Sequence, residues 1–294
     1  MPEWSPEHLV DEGLARRLIT AQCFEPDTLR LLGEGWDNTV WLADERWAFR
    51  FPRRQIAIAG VEREIAALGE IAAQVPLPIP VPAWIGRPSP EFDWPFYGAE
   101  VIRGEELPEA PLTDEERCAL GRPLGRFLRK LHDAVVIAEL PFDPMERANM
   151  AARVPRTLAA LAAIDHLWSL PDAVRDALLR AERLAPGVYD HPRVLHGDLH
   201  PRHLLIHEGA LSGVIDWGDV CRGDPSIDLA VCWFALPPDG RADFFAEYGR
   251  VSEAQLLRAR VLSLFICATL VIYGVNEGLD GVVREALAGL ERSE

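Results

Sequence analysis

One segment, residues 194–206, most strongly limits what this chain can fold into, because it places an acid, Asp198, in a glycine turn after an apolar strand. A second short apolar segment, residues 214–215, ends at another acid, Asp216. A carboxylate in a loop can accept the proton of a hydroxyl, and an imidazole beside a carboxylate can hold a divalent metal. The pattern therefore predicts a cleft that carries the groups needed for phosphoryl transfer.

A hairpin is predicted directly after Asp198. Residues 204–206 and 211–215 flank a His-Glu-Gly-Ala turn, and pairing of the two segments would bring His203 and Asp216 to the same end. Two potential metal ligands would then converge. Without the hairpin, the Asp198 segment would be read as an ordinary aspartate turn.

The composition is that of an ordinary globular protein, with 294 residues, of which 49% are hydrophobic and 26% are charged. This length accommodates one large domain or two lobes. The five cysteines are scattered without a Cys-x-x-Cys pair, which indicates reduced thiols in a cytoplasmic protein. The first eleven residues contain three acids and no apolar core, so we expect no secretory signal.

The formal net charge of -16 opposes nucleic-acid binding, because a phosphate backbone requires a basic surface. The same charge favours a cationic small ligand. The most apolar stretch, residues 261–275, is predicted to be a buried helix that is too short and too interrupted to span a bilayer, so no membrane role is expected. Lys130 is the only lysine and lies in a helical stretch, which excludes a Gly-x-x-x-x-Gly-Lys phosphate loop.

The N-terminal part of the chain has the pattern of a small antiparallel sheet. Residues 29–51 read as consecutive strands, a helix is predicted over about residues 60–73, and another strand covers residues 96–102. A hinge is expected at residues 103–104. We therefore predict an N-terminal nucleotide-binding lobe over residues 1–103.

The remaining residues, 104–294, have a mainly helical pattern. A capping box at residues 113–116 predicts the start of a continuous helix that ends at His132. Residues 148–184 and 227–290 are also predicted to be helical. The whole chain is therefore expected to have an α+β fold with two lobes, the larger of which is helical and carries the hairpin.

The small lobe contains a candidate phosphate contact. On its strand, Ala48 and Arg50 point to one face, which suits a nucleotide base above and a phosphate beside it. Glu64 lies on the apolar stripe of its helix, and an inward carboxylate needs a cation, for which Arg50 is the obvious candidate. Alternatively, Glu64 lies at the edge of the stripe and reaches water. The turn with Gly33 and Gly35 is weak evidence by itself.

A third acidic segment begins a helix at residues 223–230. Asp224 fits an N-cap and Pro225 fits the first helical position. Asp228 lies on an apolar helix face, where a buried carboxylate needs donors. We expect backbone amides of the neighbouring Asp198 loop to supply them, and we assign Asp228 a supporting role.

These motifs occur in an order that resembles the aminoglycoside phosphotransferases, which are relatives of protein kinases. They are the glycine turn, Arg50 on its strand, the inward-facing Glu64, the Glu100-Val101-Ile102 hinge strand and the three acidic motifs. The resemblance covers about residues 29–290. The His-Gly-Asp and Ile-Asp motifs at this spacing are highly specific. The resemblance implies a kinase-like fold and transfer of the terminal phosphoryl group of ATP or GTP to a hydroxyl of a small molecule.

The resemblance also implies roles for individual residues. Asp198 would be the catalytic base, His203 and Asp216 would bind magnesium, and His196 would order the loop. Most members carry asparagine at the position of His203. In having histidine there, the chain is similar to the branches that act on the 2''-hydroxyl of aminoglycosides and on macrolides. The nucleotide site would consist of Gly33, Gly35, Arg50, Glu64, Glu100 and Ile102.

Family members usually carry lysine at the position of Arg50. Arginine is bulkier and forked, but it can pair with a phosphate and Glu64 together. Because the chain contains one lysine, it has generally favoured arginine over lysine, and Arg50 follows that preference. A non-catalytic nucleotide-binding relative, impaired at Arg50, is the alternative.

The acceptor is expected to be an aminoglycoside, since the acidic balance suits a polycation. Four acids near the C-terminal helices are candidates to bind the ammonium groups of the acceptor: Asp239, Asp243, Glu277 and Asp280. Alternatively, they are solvated surface acids without a role in binding. A macrolide or another small alcohol also fits the chemistry. A more distant alternative is a metallohydrolase, because His196, Asp198, His200 and His203 crowd together in a way that suits zinc.

Overall fold

The structure is a computed structural model that describes residues 6–35, 37–185 and 192–294. Its N-terminal part is a five-stranded antiparallel sheet in the order β1-β2-β3-β5-β4. The elements of this part are α1 (Glu12–Gln22), β1 (Leu29–Glu34), β2 (Asn38–Ala43), β3 (Trp47–Pro52), α2 (Gln55–Ala72), β4 (Pro82–Gly86) and β5 (Phe96–Glu100).

The rest of the described chain is mainly helical, as predicted, with three short antiparallel pairings. Strand β8 lies between β6 and β9, and β10 pairs with β7. The elements are β6 (Glu105–Glu106), α3 (Asp114–Ala119), α4 (Gly121–His132), α5 (Met150–Ala163), α6 (Asp172–Glu182), β7 (Arg193–Leu195), a 3-10 turn (Pro201–His203), β8 (Leu204–His207), β9 (Ala210–Val214), β10 (Cys221–Gly223), α7 (Ser226–Leu229), α8 (Val231–Ala235), α9 (Pro238–Tyr248), α10 (Glu253–Glu277) and α11 (Asp280–Arg292).

The two faces of β3 have different environments, as its alternation predicts. Phe49 and Phe51 are fully buried in an aromatic core that includes Phe96 and residues of α1. Arg50 points to the opposite face, where it lies beside Tyr97 of the paired strand β5. The sheet therefore separates its core from a polar cleft.

Helix α2 begins at Gln55, earlier than the predicted start near residue 60. The first turn carries Ile56, which is 74% exposed, so its apolar pattern does not indicate a buried face. The continuous helix predicted to end at His132 is also wrong in one respect, because it is divided into α3 and α4 at Leu120. Helix α9 packs closely there: a Cβ on Gly121 would lie 2.2 Å from the carbonyl oxygen of Gly240.

Helix α10 corrects the prediction for residues 261–275. It spans 25 residues and, among the described helices, is the one long and apolar enough to cross a membrane, although 56% of its apolar stretch is buried inside the protein. It packs against α5, α6, α7, α8 and α11. The predicted burial is therefore correct, whereas the argument from length was wrong.

The predicted boundary between the lobes lies at residue 103. Strand β5 belongs to the five-stranded sheet, and β6 pairs with β8 of the hairpin. Gly104, between them, has a φ of 142°, a conformation that favours glycine. The division into residues 1–103 and 104–294 stays a prediction.

Candidate active site

A cavity of about 850 Å³ lies between the five-stranded sheet, helix α2, the Asp198 loop and helix α10. It brings together residues predicted from both parts of the chain. Those that line it are Gly33, Gly35, Arg50, Glu64, Glu100, Ile102, Asp198, His203 and Asp216.

Asp228 fixes the backbone of the loop that carries Asp198. Its carboxylate is fully buried and accepts the amides of His196 at 2.8 Å and Gly197 at 3.0 Å. A third contact joins it to the His132 ring at 3.1 Å. Burial raises the pKa of Asp228, but the hydrogen bond from His132 and these amides outweigh burial and leave the pKa lowered. The carboxylate therefore stays ionised and holds the loop.

Gly197 allows the sharp turn before Asp198. Its φ is 87°, and a Cβ at this position would lie 2.3 Å from the carbonyl oxygen of Asp219. Any other residue would combine backbone strain with a clash. The turn therefore depends on glycine for two separate reasons.

His196 lies behind the loop, with both ring nitrogens engaged. Its Nε2 contacts the carbonyl oxygen of Ile215 at 3.0 Å, and its Nδ1 lies 3.3 Å from the Asp198 amide. Burial lowers the pKa of His196 to about 4, so the ring is neutral, with Nε2–H donating to Ile215 and Nδ1 accepting from Asp198. His196 thus ties the loop to the end of β9 and has no free nitrogen for a metal.

The Asp198 carboxylate faces the cavity, with 49% of its side chain exposed. One oxygen lies 3.8 Å from Nε2 of His200 and 4.0 Å from Nδ1 of His203. Enclosure by the cleft walls raises the pKa of Asp198 to about 6. A carboxylate in this range is ionised at neutral pH and is a stronger base than an ordinary aspartate.

His203 and Asp216 converge at the base of the hairpin, as the pairing of β8 and β9 predicts. The Nδ1 atom of His203 lies 2.7 Å from the carbonyl oxygen of Asp198, which fixes Nδ1–H as the donor. Its Nε2 faces an Asp216 oxygen at 3.4 Å. A carboxylate oxygen and an oriented imidazole nitrogen are suitable metal ligands, the oxygen being the harder and better suited to magnesium.

Arg50 joins this pair to the small lobe. Its guanidinium donates to Glu64 at 3.1 Å and to Asp216 at 2.8 Å. Glu64 is fully buried and also accepts the Trp217 amide at 3.1 Å. The predicted Arg50–Glu64 pair is therefore present, and the alternative in which Glu64 reaches water is wrong.

The Arg50 contact determines the charge state of Asp216. Burial raises the pKa of Asp216, but the adjacent Arg50 charge and the hydrogen bond with His203 hold the pKa well below its usual range. Burial likewise opposes the charge on His203, whereas contact with Asp216 leaves the pKa of His203 raised. The Asp216 carboxylate is therefore ionised, with Arg50 and His203 as its partners.

The remaining predicted nucleotide residues lie at the edge of the cavity. The Glu100 carboxylate is exposed and pairs with Arg46 at 3.1 Å. Gly35 donates its amide to the Asn38 carbonyl at 2.9 Å and closes the glycine turn. Residue 36, within this turn, lies outside the described residues.

Sequence reasoning missed a polar cluster in the same cavity. Arg202 donates to both Glu106 oxygens, at 2.7 and 3.2 Å, and to the Tyr273 hydroxyl at 3.4 Å. Glu106 belongs to a two-residue strand and Tyr273 follows a long apolar stretch of α10, so neither stands out by periodicity. The position of Arg202 directly before His203 in the sequence was a visible signal for this cluster.

The acids predicted to bind a cationic acceptor lie elsewhere. None of these described residues lines the cavity, and Asp243 pairs with Arg122 at 2.7 Å. Asp239 is exposed at the start of α9, and Glu277 and Asp280 are exposed at the junction of α10 and α11. Their role in substrate binding stays a prediction.

The zinc alternative has a partial geometric basis. Among the described residues, Asp198, His200 and His203 offer ligand atoms within 4.8 Å of one another. The His200 and His203 rings are 3.6 Å apart. His196 does not join this group, because both of its nitrogens are already bonded.

Comparison with known proteins places this geometry in context. The model of the phosphotransferase enzyme family matches residues 28–262. The uncharacterized protein YcbJ of Bacillus subtilis strain 168 is 25% identical over 203 residues, which cover 63% of this chain and 61% of YcbJ. The chain thus matches less than two thirds of that relative's length.

Solved structures match over more of the chain. The GDP and kanamycin complex of APH(2")-IIia has 23% identity and a TM-score of 0.65, covering 94% of this chain and 97% of its own. The macrolide 2'-phosphotransferase MphH from Brachybacterium faecium has 21% identity and a TM-score of 0.62, covering 96% and 98%. These likenesses show that the two-lobed α+β fold is shared.

Proposed function

The chain belongs to the phosphotransferase enzyme family, and on that premise we propose that it transfers the terminal phosphoryl group of ATP or GTP to a hydroxyl of a small molecule. The observation that carries this proposal is the convergence of Asp198, His203 and Asp216 in one cavity with Arg50. Direct phosphoryl transfer relies mainly on positioning and on charge, which this arrangement supplies without a covalent intermediate.

Asp198 is the proposed base. Its carboxylate is exposed to the cavity and its backbone is held by Asp228 and His196. An acceptor hydroxyl at hydrogen-bond distance from it can lose its proton as the bond to phosphorus forms. The raised pKa of Asp198, about 6, suits a base that must later release this proton.

The nucleotide is proposed to lie between the glycine turn, Ala48 and the segment with Ile102 that follows β5, with its phosphates toward Arg50. Arg50 can donate to a phosphate oxygen and keep its bond to Glu64, since its fork has several donors. His203 and Asp216 are the proposed magnesium ligands. Magnesium, when bound, would neutralise charge on the phosphates.

An aminoglycoside is the proposed acceptor. Eight carboxylate residues line the cavity, against three arginines. This excess of acids favours a polycation. The likeness to a solved kanamycin complex supports this choice.

A macrolide is the second candidate, because α10 presents an apolar wall. Phe265, Ile266 and Leu270 line the cavity with Tyr273. A large neutral ring with one amine would bury more apolar surface there than a polar aminoglycoside. The solved MphH structure makes macrolides a necessary part of any substrate panel.

The acidic surface also bears on location and partners. The scattered cysteines agree with a cytoplasmic enzyme, and we expect it to act on small molecules. Neither nucleic acid nor a membrane is expected as partner, because a net charge of -16 would be repelled by phosphate backbones and anionic lipids.

The test is turnover of labelled ATP or GTP by the purified protein with magnesium, across aminoglycosides, macrolides, sugars and amino alcohols. We expect acceptor-dependent phosphorylation that Asp198→Asn abolishes. Nucleotide binding without transfer to any acceptor would instead support a non-catalytic relative. Phosphorylation of another alcohol but of no antibiotic would overturn the proposal of an antibiotic acceptor. The proposed kinase activity would then stand.

The Asp198, His200 and His203 cluster favours a metallohydrolase as the competing function. Metal analysis separates the two, since a hydrolase would retain tightly bound zinc. A kinase would bind magnesium only weakly without nucleotide. Stoichiometric zinc in the purified protein would contradict the phosphotransferase proposal.

A further inference from the structure

Arg153, at the start of α5, is buried without a carboxylate partner. The residue is 7% exposed, and its Nε atom has no hydrogen-bond partner. Among the residues that the structure describes, no carboxylate lies within ion-pair distance of its guanidinium. The face of the Phe265 ring lies 4.4 Å from its guanidinium carbon. A buried cation of this kind is costly unless an anion compensates for it.

Other equally buried arginines show what is missing. Arg117, 8% exposed, makes two hydrogen bonds of 2.9 Å to Glu285. Arg258, 7% exposed, lies 3.5 Å from Asp224. The fold therefore supplies carboxylates to these two buried guanidinium groups but not to Arg153.

The surroundings of Arg153 are themselves positive. Burial is the main reason that the pKa of Arg153 is lowered. Repulsion from Arg147 and Arg156 adds to the effect, and the more distant Asp143 carboxylate offsets only part of it. Arg147 is already neutralised by Asp143 and Asp219. Arg156 is exposed and, within the described chain, has no ion-pair partner. Two positive charges thus remain beside one another in a chain of net charge -16.

Arg153 and Arg156 line a pocket of about 320 Å³, separate from the main cavity, together with Pro144, Met145, Glu146 and Ala152. The acid in this pocket, Glu146, accepts a hydrogen bond from Asn149 and makes no ion pair with the arginines. Asn149 precedes α5 without capping its amides through the side chain. The Ala152 and Arg153 amides donate to the Asn149 carbonyl oxygen, so this 14-residue helix contributes the positive end of its dipole to the pocket.

We propose that this pocket binds a phosphate-type oxyanion, either as the free ion or as the terminal group of a small molecule. The forked donors of arginine match phosphate oxygens, and the positive end of the helix adds attraction for an anion. The site is distinct from the catalytic cleft, because the two cavities share no lining residue. Phe265 nevertheless lines the cleft and stacks on Arg153, so an anion at Arg153 lies beside the cleft wall.

Titration calorimetry with inorganic phosphate and phenyl phosphate, at constant ionic strength, tests the proposal. We expect wild type and Arg175→Gln to bind equally, since Arg175 is exposed on α6 and lines neither cavity. Arg156→Gln is expected to weaken binding about tenfold, the equivalent of about 1.4 kcal/mol. Arg153→Gln is expected to abolish it.

Two comparisons complete the design. Phenyl phosphate bound with the same dependence on Arg156 would identify a terminal phosphate group as the ligand, and binding of inorganic phosphate alone would identify the free ion. Because Arg156 is exposed, its variant remains a test even when Arg153→Gln fails to fold. Phosphate binding unchanged in Arg156→Gln and in folded Arg153→Gln, or no phosphate binding to wild type outside the cleft, would overturn the proposal.

Discussion

Arg50 donates at once to Glu64, at 3.1 Å, and to Asp216, at 2.8 Å. The Arg50 guanidinium thereby connects Glu64 on helix α2 to Asp216 beyond β9, which lies 166 residues from Arg50 in the sequence. The proposed phosphate contact and a proposed metal ligand are thus parts of one charge network. A metal bound at Asp216 must compete with Arg50 for the same carboxylate.

This competition predicts opposite effects of Arg50→Met on binding and on turnover. Loss of the adjacent positive charge should strengthen binding of Mn²⁺, a spectroscopic substitute for magnesium, by about tenfold, or about 1.4 kcal/mol. Loss of the phosphate contact should lower turnover. Arg50→Lys keeps a charge and should retain more activity. Weaker Mn²⁺ binding in Arg50→Met, measured by electron paramagnetic resonance, would refute the competition.

Glu64→Gln should destabilise the protein, because Glu64 is fully buried and bonded to both Arg50 and the Trp217 amide. Loss of a charged hydrogen-bond partner is expected to reduce the free energy of unfolding by about 2 kcal/mol. The exposed Glu62, on the same helix, provides the matched control. Glu62→Gln should change stability by less than about 0.5 kcal/mol. Equal effects in urea unfolding would show that the Glu64 pair contributes little.

The metal pair predicts different outcomes for two changes at His203. His203→Ala removes a ligand and should raise the magnesium concentration needed for half-maximal activity by about tenfold or more. His203→Asn keeps an oxygen ligand, the type that magnesium prefers, and should be milder. Titration of activity with magnesium measures both. If His203→Ala required the same magnesium concentration as wild type, His203 would not be a metal ligand.

Asp228 should contribute stability that depends on pH. Its pKa is lowered in the folded protein, so its stabilising effect is present above the unfolded value of about 4 and is lost as the pH falls through the folded value. Asp228→Asn should therefore reduce the free energy of unfolding at pH 7 and flatten its decline in acid. The exposed Asp239→Asn is the control. If the free energy of unfolding of wild type and of Asp228→Asn declined in parallel as the pH falls, this role of Asp228 would be contradicted.

The sequence allowed prediction of contacts that follow from local periodicity. Glu64 on the inward stripe of α2 predicts its pairing with Arg50, and Asp228 on an apolar helix face predicts its backbone donors. Hairpin geometry likewise predicts the approach of His203 to Asp216. In each case a period or a turn fixes the direction of the side chain.

Contacts between distant segments were not predictable in this way. Arg50 meets Asp216 only because the two lobes close on each other, and Arg202 meets Glu106 through a two-residue strand. The acids at the junction of α10 and α11 were chosen by charge alone, which gives no information about direction. Burial of Arg153 likewise follows from tertiary packing of α5, since arginine is normally an exposed residue.

Asp198 is proposed to accept the proton of the acceptor hydroxyl, and Asp198→Asn removes the group that would do so. Asparagine keeps the size of the side chain and removes its basicity. With an acceptor identified, we predict that kcat falls by about 10² to 10⁴ while the Kd of the nucleotide stays within about threefold. A kcat for Asp198→Asn within about threefold of wild type would show that Asp198 is not the catalytic base.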